Sequence, residues 1–116
     1  MRKIYRKSCH FIELILKLIT GVPFLTLSVI GNLIVFLFAA IIFYIEKDIN
    51  PTISTFMDSL WWSFSTATNV GYGDIVPITY QGKFVGICLM LIGVAIFSIY
   101  TALFARAILD DPKYLD

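Results

Sequence analysis

Two long stretches without a charged residue constrain this chain more than any other feature. Twenty-eight residues, Leu18 to Ile45, separate Lys17 from Glu46, and twenty-two, Phe84 to Ala105, separate Lys83 from Arg106. At about 1.5 Å of rise per residue, either stretch coiled as a helix crosses a hydrocarbon layer about 30 Å thick. Lipid offers backbone groups no hydrogen bonds, so a span of this kind has to be helical. Composition agrees: 59% of the 116 residues are hydrophobic and 15% are charged, against about 25% charged in soluble domains. The chain reads as one small, all-α membrane domain with two spans.

The same composition narrows what the domain can do. A net charge of +1 does not make a nucleic-acid binder. His10 is the only histidine, and the eight acidic residues lie mostly in loops or near chain ends. No HExxH, GxSxG, P-loop or CxxC pattern is present, and an enzyme is not expected. Cys9 and Cys88 occupy such different contexts that a disulfide framework is not expected either.

Proline is tolerated in a first helical turn, so Gly21-Val22-Pro23 marks the start of the first span. The apolar run continues to Tyr44 with no small-residue cleavage site after it, which argues against a signal peptide. The expected segments are an N-terminal helix over 1–20, an outer helix over 21–45, a connection over 46–82, an inner helix over 83–106 and a tail over 107–116. Within residues 4–19, Ile4, Phe11, Ile12, Ile15, Leu18 and Ile19 recur at helical spacing among Lys7, Ser8, Glu13 and Lys17. That pattern describes an amphipathic helix in the membrane interface, its basic side chains toward lipid headgroups. Seven lysines and arginines flank the spans at the chain ends, against Lys47 and Lys83 in the connection. By the positive-inside rule both termini are cytoplasmic and the protein is a multi-pass protein of the cell membrane.

The connection is not an ordinary loop. Thr55-Phe56-Met57-Asp58 has the form of a capping box with Asp in place of Glu. An apolar run with Leu60, Trp61, Trp62 and Phe64 follows, ending in Ser65-Thr66-Ala67-Thr68. It is too short to cross a bilayer, and its length and amphipathic character fit a re-entrant helix. After it comes Asn69-Val70-Gly71-Tyr72-Gly73-Asp74.

Residues 66–74, preceded by Trp61-Trp62 and set between two spans, closely resemble the signature of potassium channel pores, Thr-Val-Gly-Tyr-Gly followed by Asp. The resemblance runs from Pro51 to Pro77 in sequence and over the whole chain in layout. It implies an outer helix, a re-entrant pore helix with an extended filter, and an inner helix, assembled as a homotetramer around a central pore in the lipid bilayer. It assigns potassium coordination to the carbonyls of Asn69, Val70, Gly71 and Tyr72, with Gly73 completing the strand. Permeant K+ is then the only ligand, with no cofactor. The chemistry suits the residue types, because carbonyls replace an ion's water shell without a net charge. Consecutive carbonyls can face one axis only if backbone handedness alternates, and glycine takes positive φ cheaply.

Further roles follow from the same resemblance. Trp61 would hydrogen-bond Asp74 and Trp62 would contact Tyr72, with Ser65 and Thr68 supporting the filter from behind. Ser65 stands where some relatives carry a glutamate. Gly93 would be the hinge of the inner helix, and Phe97, Thr101 and Ala105 would line the cavity below the filter. Asn69 stands where the family has threonine, so its amide replaces a hydroxyl at the innermost ion layer. Two other readings stay open at this point: a weakly selective monovalent cation channel, because of Asn69, and a two-span subunit that conducts nothing. No arginine-repeat helix for voltage sensing occurs in these residues.

Overall fold

The computed structural model describes residues 1–112; Lys113, counted above with the cytoplasmic charges, and the rest of the 107–116 tail beyond Pro112 lie outside the described residues. Four helices follow one another: α1 (Arg2–Thr20), α2 (Val22–Glu46), α3 (Phe56–Ala67) and α4 (Tyr80–Leu109). An irregular segment joins α3 to α4. Helices α2 and α4 are long and apolar enough to cross a membrane, which supports a multi-span membrane protein. Contacts divide the chain into a larger unit, Ile30–Phe97, and a smaller one made of Met1–Val29 and the chain from Ser98 onward.

The larger unit holds every buried residue among those described. On α2 these are Gly31, Val35, Ala39, Ile42 and Glu46, and on α4 they are Gly82, Gly86, Leu89 and Gly93. Each set recurs every three or four residues and so forms a single stripe along its helix. The core is Ile42, Ile53, Trp62 and Leu89, with Phe38, Phe43 and Ile75 packed against it. Lipid is as apolar as leucine, so helices in a bilayer associate through close packing and hydrogen bonds rather than through hydrophobic burial. The stripes show this rule. A side-chain carbon on Gly86 would come within 3.3 Å of the Trp62 ring, and one on Gly93 would lie 2.8 Å from Ala67 Cα and run into the Ala67 carbonyl. The inner-helix glycines let the short helix α3 lie directly against α4.

Helix α3 starts where its capping box predicts. Thr55 Oγ1 accepts the Asp58 N–H at 3.3 Å, and Asp58 Oδ2 accepts the N–H groups of Thr55 at 2.9 Å and Ser54 at 3.1 Å. Those amides, the Thr55 N–H foremost, hold the Asp58 carboxyl below the ordinary aspartate range. One face of α3 buries Ser59, Trp62, Ser63 and Thr66. Ser63 Oγ donates to the Val35 carbonyl of α2 at 2.7 Å.

In the smaller unit, Gly21 takes an extended conformation (φ −70°, ψ 149°) and separates α1 from α2, while its N–H still bonds the Leu18 carbonyl at 3.1 Å. Pro23 falls in the first turn of α2. Phe24 meets the rings of Tyr100 and Phe104 edge-on at 5.1 and 6.1 Å, and Ser28 Oγ lies 2.6 Å from Tyr100 Oη. His10, next to Cys9 on α1, pairs with the Asp111 carboxylate at 2.7 Å. The inner helix extends beyond the uncharged stretch at both ends, taking in Lys83 and Arg106. Long basic side chains carry their charge out of the apolar layer on flexible stems and favour helix, so a charge gap underestimates helix length.

Candidate functional site

The segment after α3 carries the unusual backbone. Gly71 and Gly73 have φ of 59° and 79°, and Asn69 has φ of 64°, the one positive value among the described non-glycine residues. Val70 and Tyr72 lie between them with negative φ. Handedness therefore alternates residue by residue from Asn69 to Gly73. Asparagine is among the few side chains that tolerate the left-handed region, whereas a β-branched residue there is an outlier.

Hydrogen bonds to the end of α3 orient this strand. The Gly71 N–H donates to the Ser65 carbonyl at 3.1 Å, and the Tyr72 N–H donates to Ser65 Oγ at 3.2 Å. The Asn69 N–H donates to the Thr66 carbonyl at 3.3 Å. In a trans peptide the C=O points opposite to the N–H of the next residue. The carbonyls of Thr68, Val70 and Gly71 consequently point away from α3. Thr68 bends its hydroxyl back onto the Phe64 carbonyl at 2.6 Å, which ties off the last turn of the helix. The orphan carbonyls of a helix C-terminus carry partial negative charge, so the end of α3 favours a cation nearby.

Trp61 bonds Asp74 as expected, and the ring contact to Tyr72 within the chain falls to the same tryptophan. Trp61 Nε1 donates to Asp74 Oδ2 at 2.9 Å, and the Trp61 ring also stacks on Tyr72, centroids 5.5 Å apart and planes 15° from parallel. Within the chain it is thus Trp61, not Trp62, that meets Tyr72. Trp62 is 4% exposed and packs in the core against Gly86. The reason is helical phase: residues adjacent on a helix point about 100° apart, so one tryptophan faces the strand and the next faces α4. Gly93 lies under Ala67, and α4 is unbroken across it. Phe97, Thr101 and Ala105, on successive turns of α4, are exposed in the single chain.

Glu46 is the residue whose importance the sequence reading missed. It is fully buried at the end of α2, and its Oε1 accepts the Thr79 hydroxyl at 2.5 Å and the Thr79 N–H at 2.9 Å. The Ile78 N–H reaches Oε2 at 3.1 Å, and Asn50 Nδ2 donates to the same oxygen at 3.1 Å. Asn50 Nδ2 also donates to the Val76 carbonyl at 2.7 Å, and Thr79 Oγ1 caps α4 by accepting the Gly82 N–H at 2.9 Å. One carboxylate thus joins the end of α2, the strand leaving the site and the positive end of α4. A signal was present: an acid closing an apolar run, one helical turn before an asparagine.

Comparison with known proteins adds identity to this geometry. A family model described as ion channel matches residues 30–110. A voltage-gated potassium channel of Aeropyrum pernix is 37% identical over 83 residues, covering 66% of this chain and 28% of that protein. The human potassium voltage-gated channel subfamily KQT member 4 is 36% identical over 70 residues, 60% of this chain and 10% of that protein. The chain therefore spans little more than a quarter of the first relative and a tenth of the second. A crystal structure of a voltage-gated K+ channel pore module in a closed state superposes with a TM-score of 0.58 at 37% identity, covering 70% of this chain and 85% of that one. The fold is that of a potassium channel pore module. With a matched region that takes in the outer-helix stripe, α3, the alternating strand and all of α4, the chain belongs to the ion channel family.

Proposed function

We propose that four copies of this chain surround a central axis and pass potassium ions through a ring of backbone carbonyls from Asn69, Val70, Gly71 and Tyr72. The observation that carries this reading is the alternating handedness of residues 69–73, with two successive amides turned to Ser65 and their carbonyls turned the other way. One chain supplies one strand of such a cage, and a closed symmetric ring supplies the rest. Both termini lie on the cytoplasmic side, as the seven-to-two distribution of basic residues requires. The C-terminal end of α3 then faces the cavity below the filter, lined by Phe97, Thr101 and Ala105, with Gly93 as the hinge of α4. Trp61, Ser65 and Asp74 brace the strand from outside, while Thr68 ties off the end of α3 and Trp62 packs α3 against α4.

Ion flux from liposomes holding the purified protein tests this, under potassium and under sodium gradients. Selective potassium flux from a tetramer is expected. Equal passage of sodium would make it a weakly selective cation channel, with the Asn69 amide governing the filter. A tetramer that carries neither ion would overturn conduction altogether.

A further inference from the structure

Two buried glycines of the spanning helices differ in the space around them. Gly93 has no room for a side chain, because a carbon there would run into the Ala67 backbone. Gly31, the only glycine inside α2, is buried yet has room. A carbon placed on it would meet the Ile96 side chain at 3.7 and 4.0 Å, which is ordinary van der Waals contact. Close packing therefore explains Gly93 and does not explain Gly31. Against alanine, a glycine inside a helix costs about two- to fivefold in the folding equilibrium, and Gly31 recovers none of that through packing. What a glycine supplies instead is a point at which a helix can bend.

Its position gives the bend a use. Three residues before it, Ser28 Oγ lies 2.6 Å from Tyr100 Oη of α4, and one turn earlier Phe24 meets the Tyr100 and Phe104 rings edge-on. Four residues after it, the Val35 carbonyl accepts Ser63 Oγ of α3 at 2.7 Å. Helix α2 is thus fastened to the C-terminal part of α4 on one side of Gly31 and to α3 on the other. The contacts of the chain divide at the same level, between Val29 and Ile30 on α2 and between Phe97 and Ser98 on α4. We propose that Gly31 is a hinge of the outer helix. When the pore opens or closes, the first two turns of α2 move with the last turns of α4 as a pair, and α2 bends at Gly31. The rest of α2 stays with α3. The inference rests on the reading of the chain as a conducting pore. An inner helix moving alone would break the Ser28–Tyr100 pair and draw Tyr100 and Phe104 away from Phe24, whereas a bend at Gly31 keeps those contacts.

The test compares Gly31→Ala and the double variant Gly31→Ala/Leu33→Gly with the unchanged chain, each as the assembled protein. Leu33 is 65% exposed and lies between the same two fastenings, so a glycine there returns a bending point without disturbing Ile96. Ile30→Gly takes its place should the Leu33→Gly chain not assemble. Three quantities are read: the ratio of open to closed time in single-channel recordings, the reversal potential between potassium and sodium, and the melting temperature. Gly31→Ala is expected to keep or raise the melting temperature and to leave the reversal potential unchanged. It should change the open-to-closed ratio by roughly tenfold or more, since the preference for unbent helix acts in each of four subunits. The double variant should return most of the way to the original ratio. An alanine variant with an unchanged ratio overturns the proposal. A lowered melting temperature or a failure to assemble overturns it too, by making Gly31 a packing residue. So does a double variant that keeps the alanine ratio. If the unchanged chain passes no potassium, the pore reading itself falls and the hinge with it.

Discussion

The two units of the chain are built on different principles. The larger one is held by buried polar bonds and by glycines that admit backbone into close contact: Glu46 with Ile78, Thr79 and Asn50, Ser63 with Val35, and Gly93 beneath Ala67. Among its described residues the smaller one has none that is buried, and its contacts include the rings of Phe24, Tyr100 and Phe104, the Ser28–Tyr100 hydroxyl pair and the His10–Asp111 contact. The difference teaches where accuracy matters. An ion-coordinating strand has to be located to a fraction of an ångström, and the rigid constructions are those that border it.

The comparison breaks most readily at Glu46. Glu46→Gln keeps the shape but puts an amide NH2 where one oxygen accepts donors. Each buried donor it strands costs about 1–3 kcal/mol, and more than one is stranded. Loss of assembled protein by size exclusion, or a large fall in melting temperature, is expected. An unperturbed melt would mean that the larger unit does not depend on its polar collar.

Gly93→Ala comes next. Its methyl would meet the Ala67 backbone, which cannot yield as a side chain can, and overpacking of this kind costs about 1–3 kcal/mol. Displacement of α3 should appear as lost ion selectivity together with lost stability. If Gly93→Ala instead alters only opening and closing, the hinge role outweighs the packing one.

Gly71→Ala separates strain from space. Nothing lies within 4 Å of the added carbon, yet φ is +59°. The left-handed conformation costs an alanine about 1–2 kcal/mol per subunit. Potassium selectivity should fall while membrane insertion and helix content persist, as read by flux and circular dichroism. Retained selectivity would contradict the filter assignment.

A smaller effect belongs to Asp58. Its carboxyl is held below the ordinary aspartate range by the N–H groups of Thr55 and Ser54. A depressed folded-state pKa contributes stability above the unfolded value, about 3.9, and that contribution disappears as pH falls through the lower folded one. Melting temperature should therefore drop on acidification below about pH 4, and Asp58→Asn should flatten that part of the profile. Identical acid profiles for the two proteins would show that the cap contributes nothing.

The smallest change is expected in the smaller unit. Tyr100→Phe removes the hydroxyl that meets Ser28 and leaves the ring on Phe24. Polar contacts between membrane helices average about 0.6 kcal/mol, so the melting temperature should move little. A loss approaching that of Glu46→Gln would erase the distinction between the units.

Much of this molecule was legible in its residues, and the boundary has a physical cause. Span positions, the Thr55–Asp58 cap, the break at Gly21 and positive φ at Gly71 and Gly73 all depend on a few neighbouring residues: hydropathy over a stretch, a side chain reaching its own first turn, the absence of a Cβ. What stayed hidden depends on where the chain returns. Glu46 acquires its donors from residues more than thirty positions later, once α4 has been laid beside α2. Trp61 rather than Trp62 covers Tyr72 because packing of α3 on Gly86 sets the helical phase. Asn69 reads in the sequence as an exchanged ion ligand, and only the structure adds that it occupies a left-handed turn that a threonine would resist. Ser65 is named by the resemblance as a support, but that its carbonyl and its hydroxyl each take an amide of the returning strand is visible only in the structure. Local chemistry determined which elements exist. The tertiary structure decided which polar atoms meet, because those meetings are made by segments far apart in the chain and leave no periodicity in it.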